Sequence, residues 1–166
     1  MKGPTKVSTK NMDWADHAHG EAFGHRRKAL TLAAGGERLG CSLYEVAPGR
    51  KASPYHYHLA NEEAIYVLEG SGRLRTPDGE MDLEAGDYVA FTPGENGGHQ
   101  LTNPSHSAPL RYLCFSTMQE PHVTVYPDSH KLGIFAGAAP GGDRERRTLN
   151  KYLSLDAEVG YYEGEE

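Results

Sequence analysis

Apolar and β-branched residues fall in short runs along the middle of the chain, and each run is cut off by glycine, proline or acidic turn residues. Lys28 to Ala33 and Leu39 to Val46 are rich in β-compatible residues. Glu63 to Leu68 is apolar and stops at Glu69-Gly70. Gly72 to Arg75 follows, then Thr76-Pro77-Asp78-Gly79, where proline presets φ and glycine accepts positive φ, so the chain turns. Glu80 to Leu83, a turn at Glu84 to Asp87, and Tyr88 to Phe91 repeat the rhythm. Pro93 to Gly98 reads as a loop, and His99 to Asn103 and Leu110 to Thr117 complete the set. Turn signals at roughly ten-residue spacing, with no helical period across residues 28–118, predict an all-β sandwich or barrel.

The ends carry a different pattern. Residues 1–27 are polar, hold Trp14 and three histidines, and show no period, which predicts an irregular N-terminal arm that crosses the barrel or a partner subunit. The barrel is expected over residues 28–135, with Val123 to Tyr126 adding a strand and Pro127 to Gly133 turning between strands. Residues 136–166 read as a Gly- and Pro-containing C-terminal extension ending in a loosely held tail.

A length of 166 residues fits one domain with arms, enough to bury a core without staples. The net charge of −6 argues against a nucleic-acid binder or an anionic membrane surface as partner. The start of the chain lacks the apolar stretch of a signal peptide, and no run is long enough to span a bilayer, so the expected location is cytoplasmic. Cys41 and Cys114 lie far apart with no CxxC pair, as expected of two free thiols in a reducing compartment.

Chemistry concentrates between Gly49 and Asn103. On a strand, residues i and i+2 share a face, so His56 and His58 present both imidazoles to one side. Glu63, at the start of the next strand, can lean to the same point. Two imidazoles and a carboxylate form a facial set that suits first-row divalent metals and leaves positions open for a substrate. His99, arriving from a neighbouring strand, is the candidate fourth ligand. If His99 faces inward, Leu101 and Asn103 do too, and Gln100 and Thr102 face out.

These stretches resemble the paired motifs of the cupin family. Gly49, His56, His58, Glu63 and Gly70 match the first motif, with one extra residue after Gly49. Gly86, Pro93, His99 and Asn103 match the second, with a longer loop over Thr92 to Gly98. The resemblance covers about residues 40–118. It implies a jelly-roll barrel, with His56, His58, Glu63 and His99 binding a divalent transition metal such as Mn, Fe, Ni or Zn. It also implies a homodimer. Cupins include dioxygenases, isomerases and lyases as well as non-catalytic binding and sensor proteins. The expectation is therefore a metalloenzyme acting on a small oxygen-chelating substrate, with a ligand-binding or sensor cupin as the alternative. Fold alone does not choose.

The spacing to Gly70 favours Glu63 over Glu62 as ligand, and Glu62 is expected to face solvent. Tyr57 alternates with the two histidines and should face away from them, whereas Tyr66 reads as packing. Leu101 and Cys114 are expected to shape an apolar pocket. His17 and His19 read as a surface pair, and His106 as a solvated loop residue. His25, His122 and His130 receive no role.

Overall fold

The alternation in the sequence becomes strands whose inward residues share one interior. The computed structural model describes residue 3 and residues 5–165. Met1, Lys2 and Pro4, part of the segment read for a leader, and Glu166 of the tail lie outside the described residues. A six-stranded antiparallel sheet runs in the order β1 (Ala15–His19), β2 (Phe23–Ala29), β3 (Leu39–Val46), β10 (Leu110–Thr117), β5 (Glu63–Glu69) and β8 (Tyr88–Phe91). Opposite it stand a three-stranded sheet, β7 (Gly79–Glu84), β6 (Ser71–Thr76) and β9 (Gln100–Thr102), and a four-stranded sheet. The latter is ordered β13 (Leu149–Ser154), β12 (Lys131–Ala136), β11 (His122–Tyr126) and β4 (Tyr57–His58). A bridge between His56 and His99 joins these two smaller sheets. The result is an all-β jelly roll.

The core lies between the layers and is built from Val46, Val67, Leu74 and Leu110, all fully buried, with Ile65, Phe91, Leu101 and Tyr112 around them. Parity carries this arrangement. In β5, Ile65 and Val67 point inward while Tyr66 is 39% exposed, so Tyr66 is not the packing residue expected.

The termini contribute more regular structure than their composition suggests. Residues 15–29 form a hairpin in which Ala15 to His19 pair with Arg27 to Phe23, and β2 then pairs with β3. β1 is exposed throughout, so it shows no alternation for a sequence reading to detect. The strand expected over Lys28 to Ala33 ends at Ala29. Leu30 to Ala34 instead form a single helical turn (α1), closed by Gly35 in the left-handed conformation. Five residues are too few to show a period. Within the C-terminal extension, β13 pairs along the whole of β12.

Gly70, the closing glycine of the first motif, has a positive φ of 86°, and a Cβ there would stand 2.5 Å from the Pro109 carbonyl oxygen. Only glycine fits both the conformation and the approach. Asn103 is fully buried. Its amide donates to the carbonyls of Val46 and Ala108, and its Oδ1 accepts from the Ser105 N–H, which ties down the loop before β10. Gln100 departs from its expected outward position: it is 6% exposed and donates to the Ser53 carbonyl.

Candidate metal centre

Four side chains meet inside the jelly roll. His58 comes from β4 and His56 from the bridge just before it, and Glu63 opens β5. The loop ahead of β9 supplies His99. That loop is longer than the family pattern because Glu95 to Gly97 form a 3-10 turn, whose preceding Gly94 N–H donates to the His58 carbonyl at 2.8 Å. The insertion is thereby tied to the strand that carries a site histidine.

Ligand atoms of His56, His58 and Glu63 all lie within 4.8 Å of one another. His58 Nε2 is 2.5 Å and His99 Nε2 3.9 Å from Glu63 Oε2. His99 is outside the tightest triad but faces the same carboxylate, and its ring centroid is 4.5 Å from that of His56. Phe91 stacks on the His99 ring at 3.8 Å and fixes its plane. Glu62 is exposed, as expected. Tyr57 reaches outward toward Glu95.

The orientation of the imidazoles suits coordination. His56 Nδ1–H donates to the Pro54 carbonyl at 2.9 Å, and His99 Nδ1–H to the Gly97 carbonyl at 2.8 Å. Each bond fixes the tautomer and leaves Nε2 as the lone-pair nitrogen. Burial, then the neighbouring His99, holds His56 down to about 3, and burial lowers His99 as well. Both are neutral at pH 7, the form that binds a metal. Burial alone would raise the Glu63 carboxyl, but the hydrogen bond from His58 and the surrounding imidazoles outweigh it and hold the group well below the usual carboxylate range. Three imidazoles and one carboxylate, brought together and pre-oriented, are a donor set fitted to a divalent first-row metal.

A second layer was not legible in the sequence. Asn61 is 1% exposed, and its Oδ1 accepts from the Gln119 N–H and the Thr117 hydroxyl. That fixes the amide, so Nδ2 donates to the Gln119 carbonyl and to His122 Nδ1 at 2.8 Å. His122 must then carry its proton on Nε2, which donates to Thr124 Oγ1 at 2.9 Å. Thr124 in turn meets His58 Nδ1 at 3.2 Å. His122, given no role from the sequence, therefore helps orient a ring of the centre. Its one available signal was the spacing His122-Val123-Thr124, which puts both polar residues on one strand face. Cys114, expected only to shape the pocket, also donates its thiol to Glu63 Oε1 at 2.8 Å. Burial, then Glu63, pushes this thiol well above its usual range. Cys41 is likewise a free thiol. His17 and His19 are exposed, with His17 stacked on His25 at 4.9 Å.

Burial, then His58, lowers His122 to about 4. The unfolded chain therefore takes up a proton below about pH 6.5 that the folded chain refuses until about pH 4. Stability is fully present above 6.5 and is lost as pH falls toward 4. His25, lowered to about 4 by burial and then His17, acts in the same direction. For His122 alone the loss is roughly 2 kcal/mol between pH 7 and pH 5, at about 1.4 kcal/mol per pKa unit. Urea denaturation of metal-free protein at the two pH values measures it, and equal stabilities would contradict this account.

The four residues border a cavity of about 200 Å³ between the layers. Its wall includes Tyr44, Tyr112 and Tyr126 and the expected Leu101 and Cys114. An all-β jelly roll thus carries, at the wall of its interior cavity, a histidine and carboxylate cluster positioned to hold a metal ion. Residues 42–116 match the cupin domain family, and the chain carries a cupin domain at its centre. Solved structures agree with this. A provisionally named sugar phosphate isomerase from Acidithiobacillus ferrooxidans is 22% identical, with 93% of this chain and 95% of that one covered and a TM-score of 0.75. A cupin-superfamily sugar phosphate isomerase from Silicibacter pomeroyi is 24% identical, covering 92% and 94%, with a TM-score of 0.74. A polyketide cyclase from Streptomyces resistomycificus is 24% identical over 70% of this chain and 79% of its own, with a TM-score of 0.55. A comparison with curated proteins gave no match. No helix among the described residues is long and apolar enough to cross a membrane.

Proposed function

We propose that the protein is a metal-dependent cupin enzyme of the isomerase or lyase type, acting on a small substrate that chelates through oxygen. The observation that carries this reading is the convergence of His56, His58 and Glu63 on one point at a cavity wall, with His99 facing the same carboxylate. His56, His58, Glu63 and His99 would hold the ion, which supplies Lewis-acid polarisation of a substrate oxygen. The chain's own groups do the rest. Burial raises the phenols of Tyr44, Tyr112 and Tyr126, so all three remain protonated donors on the cavity wall. Their hydroxyls can orient substrate oxygens, while Ile65, Leu74 and Leu101 exclude water around them. The two structures that match over nine-tenths of both chains are named for sugar phosphate isomerisation, which supports isomerisation over oxygenation.

The test is metal analysis of the purified protein, followed by a panel of hydroxy acids, catechols and phosphorylated sugars monitored by NMR and an oxygen electrode. Metal-dependent conversion without oxygen uptake is expected. Oxygen consumption would move the protein to the dioxygenases, and binding without turnover across the panel would make it a sensor.

A further inference from the structure

The charges of the cavity do not balance. Arg26, Arg73, Arg75 and Arg111 each pair with a carboxylate at 3.0 Å or less. Arg27 makes no such pair among the described residues, although it is the one arginine bordering the cavity, and no lysine joins it there. Its Nε donates to Ser42 Oγ at 3.0 Å, and its guanidinium lies 5.8 Å from the Tyr44 ring centroid. A terminal nitrogen stands 3.5 Å from where a Cβ on Gly141 would be, so the glycine leaves that side open.

Sheet register aims the group inward. Arg27 pairs with Tyr44, which pairs with Tyr112, which pairs with Val67, so Arg27 shares the face of β5 that carries Glu63. The bond to Ser42 draws the side chain one step along that face. Ser42 pairs with Cys114, and the Cys114 thiol touches Glu63. A row of side chains thus leads from the guanidinium to the cluster. Glu63 does not neutralise Arg27, because its two oxygens are taken up by His58 and Cys114. Arg27 is half-buried at the cavity wall with no carboxylate on it, and a ligand anion there would make the charge-assisted contact that no side chain makes. The cavity of about 200 Å³, bordered by Arg27 as well as by the cluster, has room for a molecule the size of roughly seven waters.

We propose that Arg27 is the anion-binding residue of this cavity, so that the substrate is a small molecule with chelating oxygens at one end and a carboxylate or phosphate at the other. This rests on reading the histidine and glutamate cluster as a metal-anchored substrate site.

The test is calorimetric titration of Mn²⁺-loaded and metal-free protein with malate, glycerol 3-phosphate and uncharged glycerol, repeated for Arg27→Gln and Arg27→Lys. Wild-type protein should bind at least one of the two anions and not glycerol, and the tighter anion tells carboxylate from phosphate. Arg27→Gln should weaken that binding by about tenfold or more, the usual loss of a charge-assisted contact, with metal content and melting temperature unchanged. Arg27→Lys should recover part of it. Equal anion affinity in wild type and Arg27→Gln overturns the assignment while leaving the metal reading intact, as does wild-type binding no stronger than that of glycerol. A chain that takes up no metal yet shows Arg27-dependent anion binding overturns the metal reading and upholds Arg27.

Discussion

Purified His56→Ala protein is expected to lose more than about a hundredfold in divalent-metal affinity while melting at the temperature of metal-free wild type. His56 is half-buried, and its one side-chain hydrogen bond is to the nearby Pro54 carbonyl, so removing the ring orphans little. Changes outside the coordinating set already cost tenfold to a hundredfold in such centres, and losing a ligand costs more. His58→Ala should lose metal to the same degree but also melt lower. Its ring is buried, meets Thr124, and gives Glu63 its shortest hydrogen bond. Without it a carboxylate stays in the interior with only the Cys114 thiol as donor, which costs about 1–3 kcal/mol. The pair of variants separates coordination from folding. Elemental analysis and calorimetric scans of both decide the matter, and wild-type metal content in His56→Ala would remove that residue from the centre.

Asn61→Ala should be the most destabilising of the single changes considered, by about 3–4 kcal/mol in urea denaturation. The side chain makes four hydrogen bonds in a fully enclosed place, to Thr117, to both backbone groups of Gln119 and to His122. Truncation leaves the Gln119 N–H and carbonyl, the Thr117 hydroxyl and His122 Nδ1 without that partner. The cost falls on the metal centre too, because His122 loses the donor that fixes its tautomer and Thr124 then sees an unsettled ring. Asn61→Ala should therefore also weaken metal binding by roughly tenfold, although Asn61 is no ligand. A variant as stable as wild type would show that the network has a substitute.

What could be read from the sequence follows a physical divide. His56, His58 and Glu63 were legible because their relation is local: strand parity sets the two rings, and the next strand begins a few residues on. His99 was legible through the motif it shares with cupins. His122, Thr124, Asn61 and Arg27 were not, because their roles depend on which strands become neighbours. β4 meets β11 across 66 residues between His58 and Thr124, and β2 reaches β10 only through β3. Polar residues at those positions look like any others until the sheet is assembled. The same holds for the hairpin of residues 15–29: an exposed strand has no buried face to print an alternation on the sequence.

The cupin match ends at residue 116, yet a good part of the cavity wall comes from outside it. Arg27 belongs to β2, His122, Thr124 and Tyr126 to β11, and Pro140 and Gly141 to the extension beyond β12. The shared portion carries His56, His58, Glu63 and His99, and the flanking portions shape the room around them. A chain of this design can change its guest by exchanging its flanks without rebuilding its hearth, so relatives with the same four ligands need not share a reaction.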